Sequence, residues 1–182
     1  MDSVEAKFSQ NPPPKTQKIV LGVQICSRIF AIVTTMAATF IIFTSKQSTE
    51  IIGITFDARY SYSSTFKFFA FAHAIACAFS MLCLFFVFIL CRPGTNSANF
   101  YYYLFLHDLL MMSLVLAGCA AATAEGYIGR YWNNHAGWPR ICDQFGKFCN
   151  KITSAVMLSY LALVFLLMLT ILHATKSTQI QL

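Results

Sequence analysis

The sequence predicts an all-α membrane protein, a bundle of four transmembrane helices. Composition is the first observation: 57% of residues are hydrophobic, 15% aromatic and only 11% charged, with a mean hydropathy of +0.61, a balance foreign to water-soluble globules. The second is the placement of charge, which leaves four long apolar runs, Ile19 to Ser45, Phe68 to Cys91, Ala98 to Ala124 and Ile152 to Thr175. The third is length. Each run exceeds the roughly 20 residues that cross about 30 Å of hydrocarbon at about 1.5 Å per residue.

This divides the chain into an N-terminal tail, 1–18, a four-span domain, 19–175, and a short tail, 176–182. The spans are expected near 19–45, 68–91, 98–124 and 152–175, with long loops near 46–67 and 125–151. Pro12, Pro13 and Pro14 give the first tail polyproline II character. The first run is too long for a signal-peptide core and no small-residue cleavage site follows it, so it is expected to stay as a span. No motif for a lipid anchor or an N-glycan is found. In the first loop, aromatic and β-branched residues between Ile51 and Tyr62 suggest a short extended segment at the membrane surface.

The second span places Ala70, Ala74 and Ala78 four apart, a small-residue face on which another helix can close, while its phenylalanines meet lipid. Arg92-Pro93-Gly94 stops it, and the short turn that follows makes spans two and three antiparallel neighbours. Tyr101, Tyr102 and Tyr103 open the third span at headgroup level. Its far end, from Ala117 through Gly118 to Ala122, is small on every side and suits tight packing, within one protomer or between copies.

Two charges stand inside the runs, Arg28 in the first and Asp108 in the third. An ionised side chain in hydrocarbon costs about 2.5–3.5 kcal/mol even on lenient insertion scales, so it is normally paired or functional. Spans one and three cross in the same direction. Arg28 lies about 14 Å from Ile19 and Asp108 about 15 Å from Ala98, so the two share a level. The expectation is an ion pair with a bidentate guanidinium; the alternatives are separate snorkelling to the headgroups and a proton or ion path using Asp108 with His107. The unbroken helices argue against the path.

Cys142 and Cys149 are spaced too widely for a zinc knuckle, and no histidines cluster near them. A loop disulfide is favoured, with two free buried thiols as the alternative. Cys26, Cys77, Cys83, Cys91 and Cys119 read as packing residues, and His73 and His173 as packed or hydrogen-bonded histidines rather than ligands. No paired-carboxylate site, nucleophile elbow, metalloprotease helix or phosphate loop is present, so no catalytic, metal or cofactor site is expected. The net charge of +6 sits in caps and loops without a basic, aromatic-interleaved patch, which argues against nucleic-acid binding. Counting Lys and Arg does not decide orientation. A disulfide in the second loop would place the long loops in an oxidising space and both termini in the cytosol.

An Arg early in span one, an Asp early in span three and a loop with Gly137-Trp138, Ile141-Cys142, Gln144-Phe145-Gly146 and Phe148-Cys149 closely resemble the Casparian strip membrane domain proteins of plants and their CASP-like members. The match runs over nearly all of 18–175, and the pattern at Trp138, Cys142, Phe145 and Cys149 is specific alongside Arg28 and Asp108. The resemblance implies a MARVEL-like four-span fold, cytosolic termini, residence in the plasma membrane, and homo- and hetero-oligomers with related four-span proteins. It also implies a scaffold that restricts lateral diffusion and positions cell-wall-modifying enzymes. The segment Glu50 to Lys67 lacks the Leu-Pro-Phe-Phe-type stretch of the strip-forming members, which points to a CASP-like relative.

Overall fold

The computed structural model describes residues 14–51, 53–90, 98–131 and 140–181. Four long helices, α1 (Pro14–Phe43), α2 (Ser64–Leu90), α3 (Ala98–Tyr131) and α4 (Gly146–Gln181), carry the fold, and all four are long and apolar enough to cross a membrane. At about 1.5 Å per residue they measure roughly 40 to 54 Å, more than the hydrocarbon thickness, so their ends project from it. The second loop is accordingly shorter than the sequence suggests, because α3 stays helical to Tyr131 and α4 begins at Gly146. The stop at Arg92-Pro93-Gly94, Cys91 and both tryptophans lie outside the described residues.

Proline opens α1 where its missing N–H costs nothing. Within the spans, hydroxyls are spent on the helices' own carbonyls four residues back: Thr34 donates to Phe30 O at 2.7 Å, Thr35 to Ala31 O at 2.8 Å and Ser159 to Ala155 O at 2.8 Å. Such bonds let polar residues sit in a bilayer without water. Ser63 caps α2, accepting from Phe66 N–H at 3.2 Å while its hydroxyl donates to Glu125 Oε2 at 2.7 Å, which ties the start of α2 to the end of α3.

The helices pack in a ring, α1 on α2, α2 on α3, α3 on α4 and α4 on α1, so α1 and α3 face each other across the middle. Between α1 and α2 the chain forms an antiparallel hairpin of β1 (Lys46–Ile51) and β2 (Ile54–Arg59), pairing Lys46 with Arg59 and Ile51 with Ile54. Gly53 takes φ of 79° at its turn, a left-handed conformation that glycine adopts without strain. The extended segment thus starts earlier than Ile51 and is paired. The hairpin lies against the start of α4, where Gln47 Oε1 accepts from Phe148 N–H at 2.8 Å, serving one of the orphan donors of that helix.

The interior divides along the bundle axis. Toward the hairpin side it is mainly apolar, with Ile42, Phe69, Val115, Cys119 and Ala155 fully buried alongside Ser45, His73 and Ser159. Toward the side of the chain termini it is polar, with Gln24, Ser27, Arg28, Asp108, His173 and Ser177 buried.

Candidate functional site

The polar half of the core is centred on Asp108. Arg28 Nη2 on α1 reaches across the middle of the bundle and donates to Asp108 Oδ2 on α3 at 2.8 Å, with the two side chains 1% and 0% exposed. His173 Nδ1 on α4 donates to the same oxygen at 2.8 Å, and His107 Nδ1 donates to Oδ1 at 3.0 Å. One carboxylate therefore joins three helices. A 2.8 Å contact between two buried groups excludes separate snorkelling.

The expected bidentate fork is corrected. Arg28 bonds through Nη2 alone, and Nε and Nη1 have no hydrogen-bond partner among the described residues. Oδ1 instead accepts from His107, adjacent on the same helix, and the guanidinium meets only Oδ2, which it shares with His173. His173 is the member that sequence reasoning missed. Measured from Thr175, the end of the apolar run, it falls almost at the surface. The helix continues to Gln181, so His173 sits about 12 Å inside the helix end, close to the roughly 15 Å that separates Asp108 from the start of α3. Counting depth back from the C-terminal end of an antiparallel helix is the signal that would have found it.

A second polar contact joins α2 to α3. His73, buried, donates from Nδ1 to Phe69 O at 2.8 Å, and its Nε2 lies 3.9 Å from Cys119 Sγ. Beside it Gly118 is pressed so close to α2 that an added Cβ would meet Ala72 Cβ at 3.4 Å and Phe69 Cα at 3.5 Å. Gly118 and the buried Ala122 therefore pack within the protomer. Of Ala70, Ala74 and Ala78, Ala70 is buried, Ala74 half-buried and Ala78 exposed. The face that packs is instead Phe69, His73, Ala76, Ser80, Cys83 and Val87. A strict four-residue stripe overshoots a full turn by about 40° per step and winds off the contact, whereas mixed steps of three and four stay on it.

On the hairpin side, Cys142 and Cys149 form a disulfide with Cα atoms 5.7 Å apart. Ile141 N–H and Cys142 N–H both donate to Gly129 O, at 3.1 and 3.2 Å, which fastens this loop to the end of α3. Phe145 and Phe148 are buried in the apolar core, and Phe148 meets Phe66 edge-on at 6.1 Å. Cys142 and Phe145 thus lie in the loop that Cys149, in the first turn of α4, closes, while Trp138 lies outside the described residues. Lys151 Nζ donates to Thr44 O at 3.2 Å and closes the end of α1. Among the described residues no group of three His, Cys, Asp or Glu side chains is arranged to hold a metal.

The chain matches the Casparian strip membrane protein domain over residues 17–165. It is 58% identical to "CASP-like protein 1F1" of Vitis vinifera over 181 residues, covering 100% of this chain and 87% of that protein. A protein of the same description from Populus trichocarpa is 52% identical over 100% of this chain and 99% of its own length. The one from Ricinus communis is 53% identical over 99% of each. No solved structure matches.

Proposed function

Since the chain belongs to the Casparian strip membrane protein domain family, we propose that it is a non-enzymatic scaffold of the plasma membrane that self-associates, also with related four-span proteins, and organises a membrane subdomain or local cell-wall modification. Both termini lie in the cytosol, and the hairpin with the disulfide-closed loop faces the cell exterior, where wall-modifying enzymes are the partners within reach. The Cys142–Cys149 bond supports that orientation, since disulfides persist in oxidising compartments.

The observation that carries the scaffold reading is the inward closure of the charge cluster. Asp108 is saturated by donors from α1, α3 and α4, so the spans' ionisable groups are spent on holding helices together, and α2 turns an apolar face of phenylalanines outward. The rival is a small channel or proton-coupled transporter, to which the contiguous line His107–Asp108–His173 lends its only support. Photobleaching of a fluorescent fusion in plant cells tests the proposal: a scaffold is expected in patches with little recovery, and uniform, fast-recovering signal would oppose it. Purified protein in liposomes addresses the rival, which requires pH-dependent flux that Asp108→Asn abolishes.

A further inference from the structure

Around Asp108 the hydrogen bonds do not add up. His173 gives its Nδ1–H to the carboxylate, which in a neutral ring leaves Nε2 as a bare acceptor. Arg28 keeps the N–H groups of Nε and Nη1 unspent. These nitrogens of Arg28 and His173 are buried and have no partner among the described residues. Arg28 and His173 are each 1% exposed. Buried polar groups of this kind are normally satisfied, by protein or by ordered water.

The chemistry narrows what completes the cluster. Spare donors on Arg28 and a spare acceptor on His173 call for a molecule that both accepts and donates. The charges of Arg28 and Asp108 are already paired with each other, so neither calls for a further ion. A small neutral molecule meets both conditions. We infer that the cluster is a hydration site, in which internal water accepts from Arg28 Nε or Nη1 and donates to His173 Nε2. Gln24, Ser27 and Ser177 continue the polar interior toward the terminus side, the side from which water would enter, whereas Val115, Cys119 and Ala155 lie buried on the other side. The consequence is a bundle wetted from one side only.

Water-edited solid-state NMR on the full-length protein in bilayers, labelled with nitrogen-15 at Arg and His, tests this directly. Transfer from water protons to Arg28 Nε and to His173 is expected to build up nearly as fast as at the exposed Arg59, and several times faster than at the amides of Val115 and Ala155. Build-up at Arg28 as slow as at Ala155 would overturn the site. His173→Phe keeps the Arg28–Asp108 pair but removes the acceptor, so transfer to Arg28 should fall severalfold; unchanged transfer would remove His173 from the site and defeat the proposed bridge.

Discussion

Arg28 meets a carboxylate that it shares with two histidines, and that sharing sets what substitution does. Arg28→Ala leaves a buried carboxylate without its counter-charge, and removing one partner of a buried pair costs about 3–5 kcal/mol. In denaturant titrations in mixed micelles the single variants Arg28→Ala and Asp108→Ala are expected to lose stability on that scale, and the double variant to recover part of the loss, since it leaves no lone charge. Absence of recovery would mean that the two groups do not act on each other. His173→Phe is a gentler test. It removes one bond to a charged group, worth about 1.5–3 kcal/mol, and should loosen the end of α4 in hydrogen exchange while Arg28 and Asp108 stay paired. Loosening confined to α1 would contradict the shared oxygen at Asp108 Oδ2.

At the scale of elements, the contacts between helices are decided by small side chains at one-residue precision. At Gly118 an added Cβ would fall 3.4 Å from Ala72 Cβ, at the edge of ordinary contact. Gly118→Ala should therefore change stability little, whereas Gly118→Leu must push α2 from α3 and is expected to cost about 1–3 kcal/mol. If Gly118→Leu leaves unfolding unchanged but breaks up oligomers, the glycine serves another copy instead. The disulfide closes only a short loop, so replacing Cys142 and Cys149 by serine should cost about 2–3 kcal/mol by chain entropy and expose the loop after α3 to protease. Labelling of Cys142 by an impermeant thiol reagent without prior reduction would show that the bond is absent in cells. These elements were unequally legible. The four helices follow from apolar runs that nothing else in a chain this size explains, and matched depths on parallel spans brought Arg28 to Asp108. The hairpin was faint, because its strands alternate polar residues with few apolar ones and its pairing rests on backbone bonds. The packed face of α2 was misread since alanine spacing says which faces are narrow, not which one turns inward.

Taken as a whole, the molecule is fastened at both ends by different chemistry. On the hairpin side, backbone and disulfide links hold β1, α3 and α4 around an apolar core; on the terminus side, one carboxylate gathers α1, α3 and α4. That second fastening joins residues far apart in the chain, with Arg28 preceding Asp108 by 80 positions and Asp108 preceding His173 by 65. Protein synthesis delivers them in that order. The first helix thus reaches the bilayer with its cation unmatched, at a cost of about 2.5–3.5 kcal/mol on insertion scales, and is relieved only when the third arrives. A nascent chain halted after the second helix is expected to hold its first helix in the membrane poorly in a glycosylation-reporter assay, and Arg28→Leu to correct this; equal insertion of the two would remove the dependence. Biogenesis is thereby sequential by construction: the ribosome and translocon keep an early segment waiting, and the last helix to emerge seals the bundle.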